Sequence, residues 1–311
     1  MTFRQVESFL AVAREGSFSR GAQRIHLSQP TLSGHISELE RELGAKLFVR
    51  KARQVLLTEA GRIFEGHATR MVTAAEDARR AVSDVDGLRR GSLLVGASTT
   101  PGIYVLPAVL SAFQARYPGI DIALQIANSR VIEERVRADG LDLGVVGGHV
   151  LGPGERCVAA GLIDELVLIT PRGHPWARRG RTSGRELAAE RMLVREPGSA
   201  TRQVIERALM QAAITPARTM ELGHTEAIKQ CVMAGLGVAF VSIHAIRIEA
   251  RARQLAIVPV RGLHVRRHFH VIHGEQRILG ASAQAFLSIL NEHAHRRVAP
   301  SLRGKASPGG R

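Results

Sequence analysis

Three stretches of the chain gather hydroxyls and glycines where an apolar run gives way to a helical pattern: ASTTPG (97–102), REPGSATRQ (195–203) and GHTEAIK (223–229). Hydroxyls and free backbone N–H groups at a helix N-terminus make a ready anion site. Ser98, Thr99, Thr100, Ser199, Thr201 and Thr225 supply the hydroxyls. Arg202 adds a positive fork suited to carboxylate, sulfonate or phosphate. Gly147 closes the strand pattern LDLGVVGG at the same edge. Each stretch alone also reads as simple helix capping. Together, at strand C-terminal ends where open α/β sheets bind ligands, they predict a cleft for a small anion.

A second constellation lies near the N-terminus, in LSQPTLSGHISELEREL (27–43). Leu32, Ile36, Leu39 and Leu43 are spaced 4, 3 and 4 and share one helical face toward a small core. Ser28 is the expected cap, and Pro30 is tolerable in a first turn whose N–H groups lack internal partners. The tip of this helix is therefore short-side-chained, polar and able to approach another surface closely. Preceded by a short helix and a tight connection, it describes a helix-turn-helix whose second helix enters the DNA major groove. Gln29 can present its amide to an adenine edge, Thr31 and Ser33 can reach bases or phosphates, and Pro30 and the Thr31 methyl can touch a thymine methyl. Gly34 keeps the outer face low, and His35 follows it. Arg50, Lys51 and Arg53 sit on a basic turn between two short strand patterns, where their work is phosphate neutralisation. The alternative is a capped helix in an ordinary bundle.

Other chemistries find less support. GLGVAF (235–240) has no third glycine and precedes a strand, so it is not a dinucleotide fingerprint. His264, His268, His270 and His273 are flanked by Arg266 and Arg267 and lack a carboxylate or Cys at ligand spacing. No GxSxG, HExxH or P-loop occurs, and no nucleophile–base pair can be named. No catalytic residue, metal or cofactor is expected. An enzyme on α/β lobes and an exported binding protein stay as competing classes. The second would need a signal peptide, which MTFRQVESFL does not resemble.

These residues need elements to hold them. Phe3, Val6, Phe9, Leu10 and Ala13 mark a first helix ended by Gly16, and Ser17 opens a short second one. From Thr58 a helix of about thirty residues carries Ile63, Phe64, Met71, Ala75, Ala78, Val82 and Val85 on one side. It has nowhere within its own domain to bury that stripe, so a partner helix is expected. From Gly91, strand and helix patterns alternate: SLLVGAS, LPAVLSAFQARYPG, IDIALQIA, SRVIEERVRADG, LDLGVVGG, then ELVLITP through SAQAFLSILNEH. That alternation indicates parallel α/β architecture.

The chain has 311 residues and a formal net charge of +15, with 45% hydrophobic and only 4% aromatic residues. The length allows two or three domains, and the charge favours a polyanionic partner. Cys157 and Cys231 lie in unrelated contexts and read as buried thiols in a reducing compartment. No apolar run approaches the roughly 18 residues of a membrane helix. A cytoplasmic protein with no membrane partner is expected. The end of the chain, HRRVAPSLRGKASPGGR, has no acid and no periodicity, and 296–311 reads as a basic disordered tail.

GSFSRGAQRIHLSQPTLSGHISELERELGAKLFVRKARQVLLTEAG resembles the N-terminal domain of LysR-type transcriptional regulators. Ser17, Phe18, Ala22, Ser28, Gln29, Pro30, Ser33, Ile36, Leu39, Glu40, Leu47, Phe48, Arg50, Thr58, Ala60 and Gly61 match that family's pattern; Gly21 replaces an Ala, and His35 stands where Gln or another polar residue is frequent. The resemblance runs to about residue 295. It implies an α/β protein with a winged helix-turn-helix (1–58), a dimerising linker helix (59–90) and a two-lobed, periplasmic-binding-protein-like (type 2) effector domain (91–295). Lobe one would take 91–162 plus 267–295 and lobe two 163–266, with crossovers near Leu162-Ile163 and Arg266-Arg267. It further implies promoter DNA as partner, a homodimer or homotetramer, and regulation by a metabolite. ASTTPGIYVLP, EPGSATR and LGHTEAIKQCVMAGLGVAFVS are similar to the subgroup of CbbR-like and CysL-like regulators. That similarity implies a small anionic effector of the sugar phosphate, nucleotide or sulfur oxyanion class. Ala200 replaces a common Gly and His224 a common Ser.

Overall fold

The computed structural model describes residues 1–51, 54–83, 88, 90–148, 152, 154–275 and 277–297. Its N-terminal part is α1 (Phe3–Glu15), α2 (Phe18–Arg24), α3 (Gln29–Leu43), the strand pair β1 (Phe48–Lys51) and β2 (Gln54–Leu57), and α4 (Glu59–Ser83). Short polar residues start the helices. Thr2 and Gln5 form a reciprocal capping box on α1, Ser17 accepts from the Arg20 N–H, and Ser28 accepts from the Thr31 N–H. Val6, Phe9, Leu10, Leu32, Ile36, Leu39, Leu47 and Phe64 close one small core. The ring of Phe9 meets Phe64 edge-on at 4.9 Å and Phe48 at 5.2 Å.

Two expectations need correction here. Leu43 is 41% exposed, and the buried position on the last turns of α3 belongs to Glu40. The Glu40 carboxylate accepts the Leu47 N–H at 2.8 Å and the Phe48 N–H at 3.4 Å and pairs with Lys46 at 2.7 Å. An acid inside is stable because it satisfies the amides of the turn into β1. The long helix also does not lack an intramolecular seat. Phe64 and Ala68 are buried in the N-terminal core, whereas Ile63 and Met71 stay 63% and 39% exposed on another side. Its first turn is set by Thr58, which donates to Lys46 O and accepts from the Gly61 N–H. Gly61 must be glycine, since a Cβ there would lie 2.1 Å from Leu47 O. α4 ends at Ser83, and Val85 falls outside the described residues.

The C-terminal part begins with β3 (Gly91–Ser98), α5 (Thr99–Tyr104), α6 (Leu106–Arg116), β4 (Ile120–Ala127), α7 (Ser129–Arg137) and β5 (Leu143–Gly147). It continues through β6 (Glu155–Pro171), α8 (Pro175–Arg179), α9 (Gly184–Ala189), β7 (Arg191–Arg195), α10 (Ala200–Gln211), β8 (Arg218–Leu222), α11 (Thr225–Met233) and β9 (Ala239–Ser242). The last elements are α12 (Arg247–Arg251), β10 (Leu255–Ile257), β11 (Val265–Gly274) and α13 (Ala281–Arg297). α13 extends through Arg297, so residues 296 and 297 are helical; residues 298–311 of the expected tail lie outside the described residues. No helix among the described residues is long and apolar enough to cross a membrane.

Strands β3, β4 and β5 are parallel, β11 runs antiparallel to β5, and β6 pairs antiparallel with β11 in a seven-stranded sheet that continues through β9 and β10. ELVLITP proves to be the second half of the 17-residue β6, whose first half the apolar pattern did not announce. Pairing of β6 with β11 puts Ile163 opposite His268 and Asp164 opposite Arg267. The expected crossovers thus fall inside two continuous strands. Separate apolar cores lie on either side of this seam. One is built on Phe113, Phe269 and Phe286 with β3 and β5. The other side holds Trp176, Met192, Leu209 and Phe240 in one cluster and Ile169, Ile228 and Val241 in another.

Glu40→Ala should lower the stability of the N-terminal part by about 1–3 kcal/mol, the cost of leaving a buried amide without its acceptor. Denaturant unfolding followed by fluorescence or circular dichroism measures it.

Candidate functional site

At the tip of α3, Ser28, Gln29, Pro30, Thr31 and Gly34 are exposed and Ser33 is half-buried. A Cβ added at Gly34 would meet nothing within 4 Å, so this face is open. The tip is held from behind: Ser19 of α2 donates to Gln29 Oε1 at 2.8 Å, and Ser28 and Thr31 hydroxyls bond at 2.7 Å. His35 is different from its neighbours. Its Nδ1 bonds the buried Ser8 hydroxyl of α1 at 2.9 Å, so that ring nitrogen is committed to the helix–helix contact. Arg50 and Lys51 stand on β1 opposite Val55 and Gln54, and Arg53 lies outside the described residues.

The second site forms where β3, β7 and β11 bring their ends together. Ser98, Thr99, Thr100, Asn128, Ser129, Arg195, Ser199, Thr201 and Arg267 line one small cleft. It includes five of the seven hydroxyl and guanidinium residues that the sequence singles out, and Thr225 joins them through Arg195. Two buried guanidinium groups organise it. Arg267 donates to Thr201 Oγ1 at 2.8 Å, to Thr100 Oγ1 at 3.2 Å and to Asp164 Oδ2 at 2.8 Å. Arg195 donates to Thr225 Oγ1 at 2.9 Å, to Thr99 Oγ1 at 3.4 Å and, through two nitrogens, to Glu196 at 2.7 and 2.9 Å.

This pattern differs from plain capping. Ser98 and Ser199 occupy helix cap positions but make no side-chain cap bond. Thr99, Thr100, Thr201 and Thr225 each accept from a guanidinium, which leaves each O–H hydrogen free to donate. Burial lowers the Arg267 pKa below its ordinary value, Asp164 works against that, and the nearby Arg195 charge lowers it again. Positive charge and hydroxyl donors therefore converge on one point. The free space among them is about 10 Å3, room for roughly one water.

Arg202 is placed elsewhere. Its guanidinium bonds Glu206 at 2.7 Å, Glu221 at 2.7 Å and the Arg195 carbonyl at 3.0 Å, and it does not line the cleft. Those carboxylates raise its pKa, so its charge is neutralised locally. Gly147 acts indirectly: a Cβ there would sit 3.0 Å from the Arg267 guanidinium, so the missing side chain makes room for it.

Arg195, Arg267, Asp164, Asn128, Ser129 and Glu196 escaped the sequence reading. A signal existed for Arg267. Val265, Phe269 and Val271 alternate inward on β11, and Arg267 is in phase with them while Arg266 points out. An arginine in the inward phase of an apolar strand demands a buried partner. Arg195 was visible only as the last residue before a loop, with nothing local to say which way it turns.

A model for the bacterial regulatory helix-turn-helix of the lysR family matches residues 3–62, and one for the LysR substrate binding domain matches residues 86–295. The chain is 36% identical over 292 residues to a protein described as a probable RuBisCO transcriptional regulator of Cyanidioschyzon merolae, covering 92% of this chain and 96% of that one. Among solved structures it is similar to full-length CbnR complexed with target DNA, with a TM-score of 0.67, 26% identity and coverage of 95% and 99%. It is also similar to the Synechocystis PCC6803 CcmR regulatory domain in complex with 2-PG, with a TM-score of 0.62 and 28% identity, covering 68% of this chain and 100% of that one.

Asp164→Ala should cost about 3–5 kcal/mol by stranding the Arg267 charge, whereas Asp164→Leu combined with Arg267→Met should return most of it. Urea unfolding of the single and double variants reads the difference.

Proposed function

The chain belongs to the LysR family of transcriptional regulators, and from that premise we propose that a small phosphate-bearing metabolite, bound between its two lobes, controls how it holds promoter DNA. The protein is a DNA-binding regulator rather than an enzyme, with a helix-turn-helix followed by an effector-binding domain. The exposed tip of α3, from Ser28 to Gly34, is the proposed base-reading surface, with Arg50, Lys51 and Arg53 on the phosphates beside it. We take the lobes as 91–162 with 267–295 and 163–266.

One observation carries the effector reading: the guanidinium groups of Arg195 and Arg267 and three threonine hydroxyls meet at a single cleft, with Thr225 bonded to Arg195 beside it. A guanidinium fork matches a phosphate or carboxylate in two places at once. The 2-PG complex of the CcmR regulatory domain supports the same ligand class. The site proposed here keeps Ser98, Thr99, Thr100, Ser199, Thr201 and Thr225, adds Arg195 and Arg267, retains Gly147 as the space Arg267 fills, and leaves Arg202 outside. Bound anion favours one closure of the lobes, and in a dimer or tetramer paired through α4 that closure alters the spacing of the DNA-reading tips. The exposed Ile63 and Met71 of α4 support such pairing.

Calorimetry with 2-phosphoglycolate should give saturable binding. Arg267→Met should weaken it by at least about tenfold, the loss of one charge-assisted contact, and Arg202→Ala should leave it nearly unchanged. Equal affinity in wild type and Arg267→Met removes Arg267 from the site. Gel shifts on the protein's own upstream promoter test the other end. Gln29→Ala should weaken binding by about 1–3 kcal/mol if its amide reads a base, with a smaller effect on unrelated duplex.

A further inference from the structure

The two cleft arginines are not neutralised in the same way, and the difference has a use. Asp164, the partner of Arg267, has a side chain with no exposure, and it also accepts the Ser242 hydroxyl at 2.6 Å. It is fixed from two sides and stays in place. Glu196, the partner of Arg195, follows the end of β7 on the loop that leads to α10. Its side chain is 21% exposed, and its carboxylate bonds Arg195 at 2.7 and 2.9 Å. Arg195 itself is 4% exposed at the side chain. A carboxylate thus occupies, in bidentate fashion, the nitrogens that an effector anion needs.

The geometry points to Glu196 as an internal anion that fills the Arg195 fork in the unliganded protein and is displaced by the effector. This rests on the reading of the cleft as an anion site. The exchange is one oxyanion for another on the same guanidinium, with Glu196 swinging toward solvent, where its charge is hydrated at little cost. The free space of about 10 Å3 fits this order of events, since a phosphate enters only after something leaves. Displacement also acts at the contact between lobes. The loop that carries Glu196 offers Gly198 O to the Arg130 N–H of α7 at 3.2 Å, and Thr99 of α5 shares Arg195.

An internal competitor has a quantitative signature. It taxes every anion by the same factor, because each must bind the fraction of molecules in which the fork is open. Weak ligands are thereby lost and strong ones survive, without any change in their ranking. A glutamate that acted only through space would instead penalise dianions more than monoanions.

The test is calorimetry of the full-length protein at pH 7.5 with inorganic phosphate, 2-phosphoglycolate and glycolate, comparing wild type with Glu196→Gln and Glu196→Ala. Glu206→Gln, which touches Arg202 alone, serves as control. Thermal unfolding checks that each variant is folded. Both Glu196 variants should bind all three anions about tenfold more tightly, as if roughly one molecule in ten had an open fork before, with the ranking kept and the control unchanged. Wild-type binding with no gain in either variant overturns the inference alone. A gain for phosphate without one for glycolate replaces displacement with through-space repulsion. Absence of binding in every folded protein overturns the anion reading itself, and this inference with it.

Discussion

A guanidinium deprived of water must be met on every side, and Arg267 imposes that demand on the whole C-terminal part. Its carboxylate partner comes from β6, its hydroxyl partners from α5 and α10, and its space from Gly147 at the end of β5. Those residues are separated by up to 167 positions in the sequence. They can serve one side chain only if β6 and β11 pair in the register that sets Asp164 opposite Arg267. A slip by one residue would turn the guanidinium outward and bury Arg266. The register of the seam and the chemistry of the cleft are thus the same constraint. The long continuous strands follow from it, since a loose linker between lobes would not hold a buried ion pair in alignment.

The N-terminal part solves a similar problem with a carboxylate. Glu40 on α3 holds the amides that lead into β1, and Thr58 with Gly61 brings α4 against the same turn. Helix α3, the β1–β2 pair and α4 are therefore fixed through one corner around Leu47. The outward tip of α3 is free of that duty. Its small polar residues are supported from behind by Ser19 while their other side faces solvent. A rigid base with an unencumbered tip is what groove entry needs.

Local order made the N-terminal half readable. Caps, glycine stops and the 4-3-4 spacing all act within a few residues, and they place α1 to α4 close to where the pattern put them. Glu40 was hidden because its reason for burial lies seven residues on, in the amide of Leu47. The parallel strands and their helices were legible for the same local reasons. The first half of β6 was not, because CVAAG carries no alternation. In the cleft, hydroxyls at strand ends announced themselves by position. The charge that completes the cleft did not. Arg202 had the right neighbours in sequence, but Glu206 and Glu221 are its neighbours in space, and the guanidinium groups that reach the threonines come from the ends of β7 and β11. Sequence spacing finds the backbone of an anion site and is nearly blind to the long side chains that fill it.

The two halves of the molecule meet in a way that suits a signal. Thr73 of α4 donates to Asp139 O at 3.3 Å, and Arg277 donates to the same carbonyl at 3.0 Å and also bonds Asp142. Around this polar contact lies a cavity of about 750 Å3 between α1 and α4 and the C-terminal part, lined by Arg14, Arg79 and Arg135 together with Leu10, Val72 and Leu141. Packed apolar cores resist deformation because every displaced side chain loses dispersion contacts. A boundary of a few hydrogen bonds around an open cavity offers less resistance, since fewer packed contacts are lost when it shifts. The contact between the N-terminal and C-terminal parts therefore resists displacement less than the cores on either side of it.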